Sequence, residues 1–142
     1  AYFLRVGGYL GATGTINVAM SCSGIPSKDE CSGALTLALG ANGPYTSALS
    51  TTGTPQACGS ASNDVWFRFT PASTADYVFE TCASNFDTVI ELFSGSCASL
   101  TSIACNDDDC VLQSRVTATL TRNQTYYLLV GGFGGATGTV NI

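Results

Sequence analysis

At 142 residues and 14.6 kDa the chain has the length of one ordinary domain, enough to bury roughly 68–70% of the surface its unfolded form exposes. Five basic against ten acidic residues give a net charge of −5 and an isoelectric point near 4.2, which removes the electrostatic footprint for nucleic acid or anionic lipid. Histidine is absent, so Ser-His-Asp and Cys-His catalysis are excluded, and no phosphate-cradling glycine motif follows a strand.

The chain opens on a segment that it later repeats. Tyr2-Phe3-Leu4-Arg5-Val6-Gly7-Gly8 and the following residues to Val18 match Tyr126 to Ile142 at a constant spacing of 124 residues, with eleven of seventeen positions identical. Aromatic and β-branched residues flank Val-Gly-Gly and Gly-Ala-Thr-Gly, a pattern that predicts two short strands closing as a hairpin. Tyr2, Leu4, Val6, Ile16 and Val18 are its apolar positions in the first copy. Residues 1–20 then read as the end of a preceding repeat, or as a donor segment that docks on a neighbouring chain. Residues 21–30 read as a linker and 31–142 as a β-sandwich domain. Side-by-side packing of both hairpins in one domain is the alternative.

Beyond the linker, period-2 patterns recur with turn signals between them, and no window carries helical spacing. Strands are expected at 34–39, 64–70, 76–82, 88–93, 101–105, 114–120 and 125–130. In Asp64 to Thr70, Val65, Phe67 and Phe69 form the core face and Trp66, Arg68 and Thr70 the other. The turn Pro71 to Thr74 predicts a hairpin between this strand and Asp76 to Cys82. The longest apolar run, Tyr126 to Val130, is too short to span a bilayer, so membrane insertion is not expected. The fold class expected is all-β, a jelly-roll-like antiparallel sandwich stabilised by disulfides.

Seven cysteines, Cys22, Cys31, Cys58, Cys82, Cys97, Cys105 and Cys110, occur without CxxC or histidine, which reads as structural disulfides in a secreted or cell-surface protein. Cys105 and Cys110 bracket an acidic knot that a bridge between them would pin, with Cys97 competing for the same partner. Cys31 with Cys58 would staple the first strand to the loop before Trp66, and Cys22 is the candidate for a link across the repeat boundary. Seven is odd, so at least one thiol stays free, pairs with another chain or finds its partner in sequence beyond these residues.

Asp64-Val65-Trp66-Phe67-Arg68-Phe69-Thr70-Pro71, Phe86-Asp87-Thr88-Val89-Ile90-Glu91-Leu92-Phe93, Ala104-Cys105-Asn106-Asp107-Asp108, Gln113-Ser114-Arg115-Val116 and Thr125 to Gly132 follow one another in an order and spacing that resemble the bacterial pre-peptidase C-terminal domain family. The likeness covers residues 29–142 and is to the Cys-rich form carried in tandem on large secreted bacterial proteins. It implies a non-catalytic sandwich, used as an accessory or repeated module. The seven cysteines and the lack of an attached peptidase depart from the simplest members and weigh against a protease-accessory role.

The knot Asn106-Asp107-Asp108-Asp109 is the sharpest chemical signal. Like charges roughly 5 Å apart cost about 3 kcal/mol per pair at an effective dielectric near 20, before salt and exposure reduce it. An oxygen-only set suits Ca²⁺. Asp87 is the distant contributor the family resemblance implies, and Asp64 a weaker one; an Asx-rich turn capping its own backbone is the competing reading. Tyr9, Tyr45, Trp66 and Phe133 are candidates for an aromatic binding platform, with core packing as the competing role. The expected function is a non-catalytic extracellular structural or adhesive repeat, partnered by copies of itself or neighbouring repeats. The alternative is an accessory module that holds a secreted hydrolase on an extracellular polymer.

Overall fold

The computed structural model describes residues 5–7, 9–16, 26–53, 58 and 61–142. Tyr2, Leu4, Val18 and Cys22 lie outside the described residues. Nine strands are formed among the described residues: β1 (Leu35–Thr36), β2 (Tyr45–Thr46), β3 (Ala61–Phe69), β4 (Ala75–Glu80), β5 (Thr88–Ser96), β6 (Ser99–Asn106), β7 (Arg115–Leu120), β8 (Tyr126–Phe133) and β9 (Thr139–Val140). They build a five-stranded sheet in the order β1-β3-β8-β5-β6, faced by two strand pairs, β2-β9 and β4-β7. The fold is an all-β, sandwich-like arrangement. Its ladders are antiparallel except for the short β1-β3 pair, which is parallel.

The alternation of side chains sets which face each strand buries. Val65, Phe67 and Phe69 of β3, Ile90 and Leu92 of β5, and Tyr126, Leu128 and Val130 of β8 point into the core between the layers. There they meet Phe79 of β4, Val116 and Leu120 of β7, and Val140 of β9. The opposite face of the five-stranded sheet is covered as well. Trp66, Val89, Phe93 and Leu129 form a second cluster with Ala34 and Ala61, and Trp66 lies 5.5 Å from Phe93 ring to ring. Burial on both faces is why β5 and β8 read as near-continuous apolar runs rather than clean alternation.

Residues 26–30, on the linker side of the expected boundary, are tied to the edge of β3 and to Thr51. Lys28 and Asp29 are buried; the Trp66 amide donates to the Lys28 carbonyl at 2.7 Å, and the Asp29 carboxylate accepts from the Thr51 amide and hydroxyl at 2.5 and 2.8 Å. Desolvation holds the Lys28 ammonium below the ordinary lysine pKa.

Two expected pairings are corrected. β3 and β4 do not form a hairpin: β3 pairs with β1 and β8, while β4 crosses to the other layer and pairs with β7. The crossing puts Tyr77 and Phe79 edge-on to Phe69, with ring centroids 5.2 and 5.6 Å apart, a contact that a flat hairpin would not allow. The closing segment is not a hairpin either. β8 lies between β3 and β5, whereas β9 pairs with β2 in the other layer, so residues 126–142 form an arch joining the two layers. Its glycines make room for the crossing. A Cβ on Gly132 would lie 1.8 Å from the Ala136 carbonyl oxygen, and one on Gly138 2.4 Å from the Asn85 side-chain oxygen.

The disulfides also differ from the expected ones. Cys31 bonds Cys97, Cys58 bonds Cys105, and Cys82 bonds Cys110, so neither the Cys31–Cys58 nor the Cys105–Cys110 bridge forms. Sequence neighbours are poor partners here because β5 and β6 carry Cys97 and Cys105 away from Cys110 to the outer-face cluster, where Cys31 and Cys58 pack. Three disulfides suit an oxidising compartment. Among the described residues no helix is long and apolar enough to cross a membrane.

Candidate functional site

The acidic knot sits between β6 and β7, at the end of the sandwich where β5 begins. Its loop is tied down locally: the Asp109 and Cys110 amides donate to the Gln113 carbonyl at 2.9 and 2.8 Å, and the Gln113 side chain donates to the Phe86 carbonyl at 3.2 Å. Ser114 lies buried beneath it, its hydroxyl donating to the Thr88 and Asp107 carbonyls. The Cys82–Cys110 bridge fastens the loop to the end of β4. These ties hold together residues that sequence places twenty apart.

Asp87, Asp107 and Asp108 converge, each offering a carboxylate oxygen within 4.8 Å of the others. Asp87 Oδ1 and Asp107 Oδ1 are buried and have no hydrogen-bond partner among the described residues. An unpaired buried carboxylate oxygen is costly, since it gives up water without a replacement donor. The effect is visible in Asp107, whose carboxyl is pushed above its ordinary pKa by desolvation and then by the charges of Asp108 and Asp87.

The other two residues of the knot are used differently. The Asn106 carboxamide oxygen accepts from the Arg115 amide at 3.0 Å and its nitrogen donates to the Asp108 carbonyl at 3.3 Å, which caps the loop. Asp109 faces Arg115 at 3.3 Å, and the same guanidinium pairs with Glu80 at 2.9 Å. Three of the five expected ligands are therefore gathered and two serve the loop itself. Asp64 is remote from them; it is buried and accepts from the Gly53 amide at 2.7 Å. The Arg115 to Glu80 and Asp109 pairs escaped sequence reasoning, because a single arginine carries no spacing signal.

The aromatic candidates are not brought together as a platform. Trp66 is 2% exposed in the outer cluster and Tyr45 packs against Phe67 in a tilted contact with ring centroids 5.0 Å apart, leaving Tyr9 and Phe133 at the surface.

The duplicated segment gives the sharpest contrast. Val6 and Ile16 are 50% and 57% exposed, whereas their counterparts Val130 and Val140 are fully buried in the core. Among its described residues, 5–7 and 9–16, the first copy forms a short 3-10 turn at Tyr9–Gly11, with the Ala12 amide donating to the Tyr9 carbonyl at 3.1 Å.

No family model, curated protein or solved structure matches the chain. The functional reading accordingly rests on the geometry and on the internal repeat.

Proposed function

We propose that this is a non-catalytic, secreted or cell-surface structural module of the pre-peptidase C-terminal domain type, repeated in tandem along an extracellular assembly. The observation that carries the reading is the pair of equivalent segments, one forming the closing arch of the sandwich and the other leaving Val6 and Ile16, the counterparts of core residues, at the surface. A segment with the sequence of a core arch is expected to be buried in a sandwich of its own. Burial of a valine side chain contributes about 1.5–3 kcal/mol, so leaving Val6 and Ile16 in water is unfavourable. Exchange into the equivalent place of a second copy is disfavoured, because β8 is flanked on both sides by β3 and β5 and that place is filled by residues 126–133. A preceding repeat that ends in residues 1–18 meets the requirement.

Within such a module Ca²⁺ would be held by Asp87, Asp107 and Asp108. Support comes from the convergence of three carboxylates and from the two buried oxygens that lack a donor. A hard divalent ion takes oxygen ligands in irregular loops of this kind, and its part here would be to stiffen the β6–β7 loop. Negative-stain microscopy of native material, paired with its intact mass, tests the functional reading. Fibres or beaded arrays of sandwich-sized units are expected, and isolated 14.6 kDa particles would overturn it.

A further inference from the structure

The three bridges differ in what surrounds their sulfurs. Cys31 and Cys58 pack on the outer apolar cluster, where a thiolate is disfavoured. Among the described residues no cationic side chain donates to a sulfur of the Cys31–Cys97 or Cys58–Cys105 bridge. Cys82–Cys110 is placed differently. Both of its cysteines are half-buried, and the Arg115 guanidinium donates to Cys82 Sγ at 3.8 Å through the same nitrogen that meets Glu80 at 2.9 Å. On the other half of the bridge an Asp109 carboxylate oxygen lies 4.0 Å from Cys110 Sγ. One sulfur faces a donor and a positive charge, its partner a negative charge.

The strand register builds this asymmetry. Arg115 opens β7 directly opposite Glu80, the last residue of β4, so its guanidinium reaches the cysteine two residues further on. Glu80 and Asp109 hold the guanidinium from two sides, at 2.9 and 3.3 Å. Neither carboxylate can donate to sulfur, so the hydrogen bond at Cys82 is Arg115's alone. All three charged side chains are close to half exposed, which screens the effect to a modest size.

Thiol–disulfide exchange discriminates between two such sulfurs. The attacking, central and leaving sulfurs align, negative charge gathers on the outer two, and the bond breaks most readily when the leaving thiolate is stabilised. A cation beside the leaving sulfur supplies that stabilisation. A carboxylate costs least beside the central sulfur, which carries the least charge. Arg115 at Cys82 and Asp109 at Cys110 therefore select the same direction, with Cys110 attacked and Cys82 expelled.

We propose that Cys82–Cys110 is a thiol-exchange site at which a small external thiol modifies Cys110, with Arg115 the positioning residue for the departing Cys82 thiolate. The incoming thiolate forms a bond to Cys110 Sγ as the Cys82–Cys110 bond breaks, and the electron pair of that bond leaves on Cys82 Sγ beside the guanidinium. The products are a mixed disulfide at Cys110 and a thiolate at Cys82, and attack by Cys82 in reverse restores the bridge and releases the thiol. Opening the bridge frees the β6–β7 loop from the end of β4, while the hydrogen bonds of Asn106 and Gln113 remain to hold it. Neither the repeat nor the calcium reading is needed for this site.

Reduced glutathione is the probe, applied to the folded 142-residue chain after free thiols have been blocked with iodoacetamide. Thiols released at timed intervals are trapped with N-ethylmaleimide, and peptides are mapped by mass spectrometry. The first product expected carries glutathione on Cys110 and N-ethylmaleimide on Cys82, with Cys31–Cys97 and Cys58–Cys105 intact. Arg115→Gln is expected to slow this step about fivefold at the same pH, and Arg115→Lys to recover part of the loss. A merely structural arginine predicts the opposite sign, because a loosened loop exposes the bridge and speeds exchange. Another bridge opening first, glutathione on Cys82, or exchange in Arg115→Gln as fast as in the parent chain would each overturn the proposal. The position of the glutathione is read on the parent chain, so that arm stands however well the variants fold.

Discussion

Val6 and Val130 occupy the same place in two copies of one sequence, yet the first is half exposed and the second fully buried. Ile16 and Val140 repeat the contrast. The difference lies in what surrounds each copy. The C-terminal copy runs between β3 and β5 and then crosses to β2, so β8 is paired on both edges and Val130 and Val140 are buried in the core. The N-terminal copy has the arch residues without the strands that make them an arch. Closely similar local sequence therefore leaves Val6 and Ile16 exposed in one place and their counterparts buried in strands in the other, because burial and ladder hydrogen bonds decide strand formation more than propensity does.

The strongest way to break the comparison is to charge both valines. Val130→Asp places a carboxylate in the core without a partner and is expected to cost about 4 kcal/mol or more, whereas Val6→Asp is expected to stay within about 0.5 kcal/mol in chemical denaturation of the 142-residue chain. If the proposed repeat holds, Val6→Asp in native material should instead approach the cost of its counterpart.

Removing the Cys82–Cys110 bridge by replacing both cysteines with serine comes next, at about 2–4 kcal/mol read from the same unfolding curves. The equivalent glycines sharpen the contrast further. Gly138→Ala would drive a methyl onto the Asn85 side chain and Phe86 and should destabilise by about 1–3 kcal/mol, while Gly14→Ala meets open space and should change stability by less than about 0.5 kcal/mol.

The smallest effect belongs to the acidic loop. Calcium should raise the melting midpoint by a few degrees, to about the extent that free ion exceeds its dissociation constant. Asp107→Asn should remove that gain and yet stabilise the protein in chelator. The sign follows from the raised pKa of Asp107. The stability associated with its proton is fully present below the ordinary value of 3.8 and is lost as pH rises through the higher folded value, so at neutral pH the uncompensated charge works against the fold. A midpoint identical with calcium and with chelator would remove the ion from the account.

Much of the sandwich was legible because burial on one or both faces writes itself into the period. β3, β5, β7 and β8 stand where alternation or apolar runs place them, and Val65, Phe67 and Phe69 form the core face as read. Pairing was not legible. The short turn at Pro71 to Thr74 suggests a hairpin, but what fixes β4 is the burial of Tyr77 and Phe79 against Phe69 from the opposite layer, a contact between layers that turn length does not report. The disulfides failed for the same reason, since loop spacing says nothing of which strands lie side by side. β2 was missed because two residues of strand leave no period to detect. At the loop, Asp107 and Asp108 were readable from the acidic run and Asp87 from its place at a strand opening and from the family resemblance, while the diversion of Asp109 to Arg115 left no signal, because a single arginine opening β7 carries no spacing pattern.

The most direct test of the central claim is hydrogen exchange on native assembled material, comparing residues 5–16 with residues 129–140. If the first copy closes a preceding sandwich, the two stretches should be protected to a similar degree. Rapid exchange across residues 5–16 beside a protected C-terminal arch would contradict it.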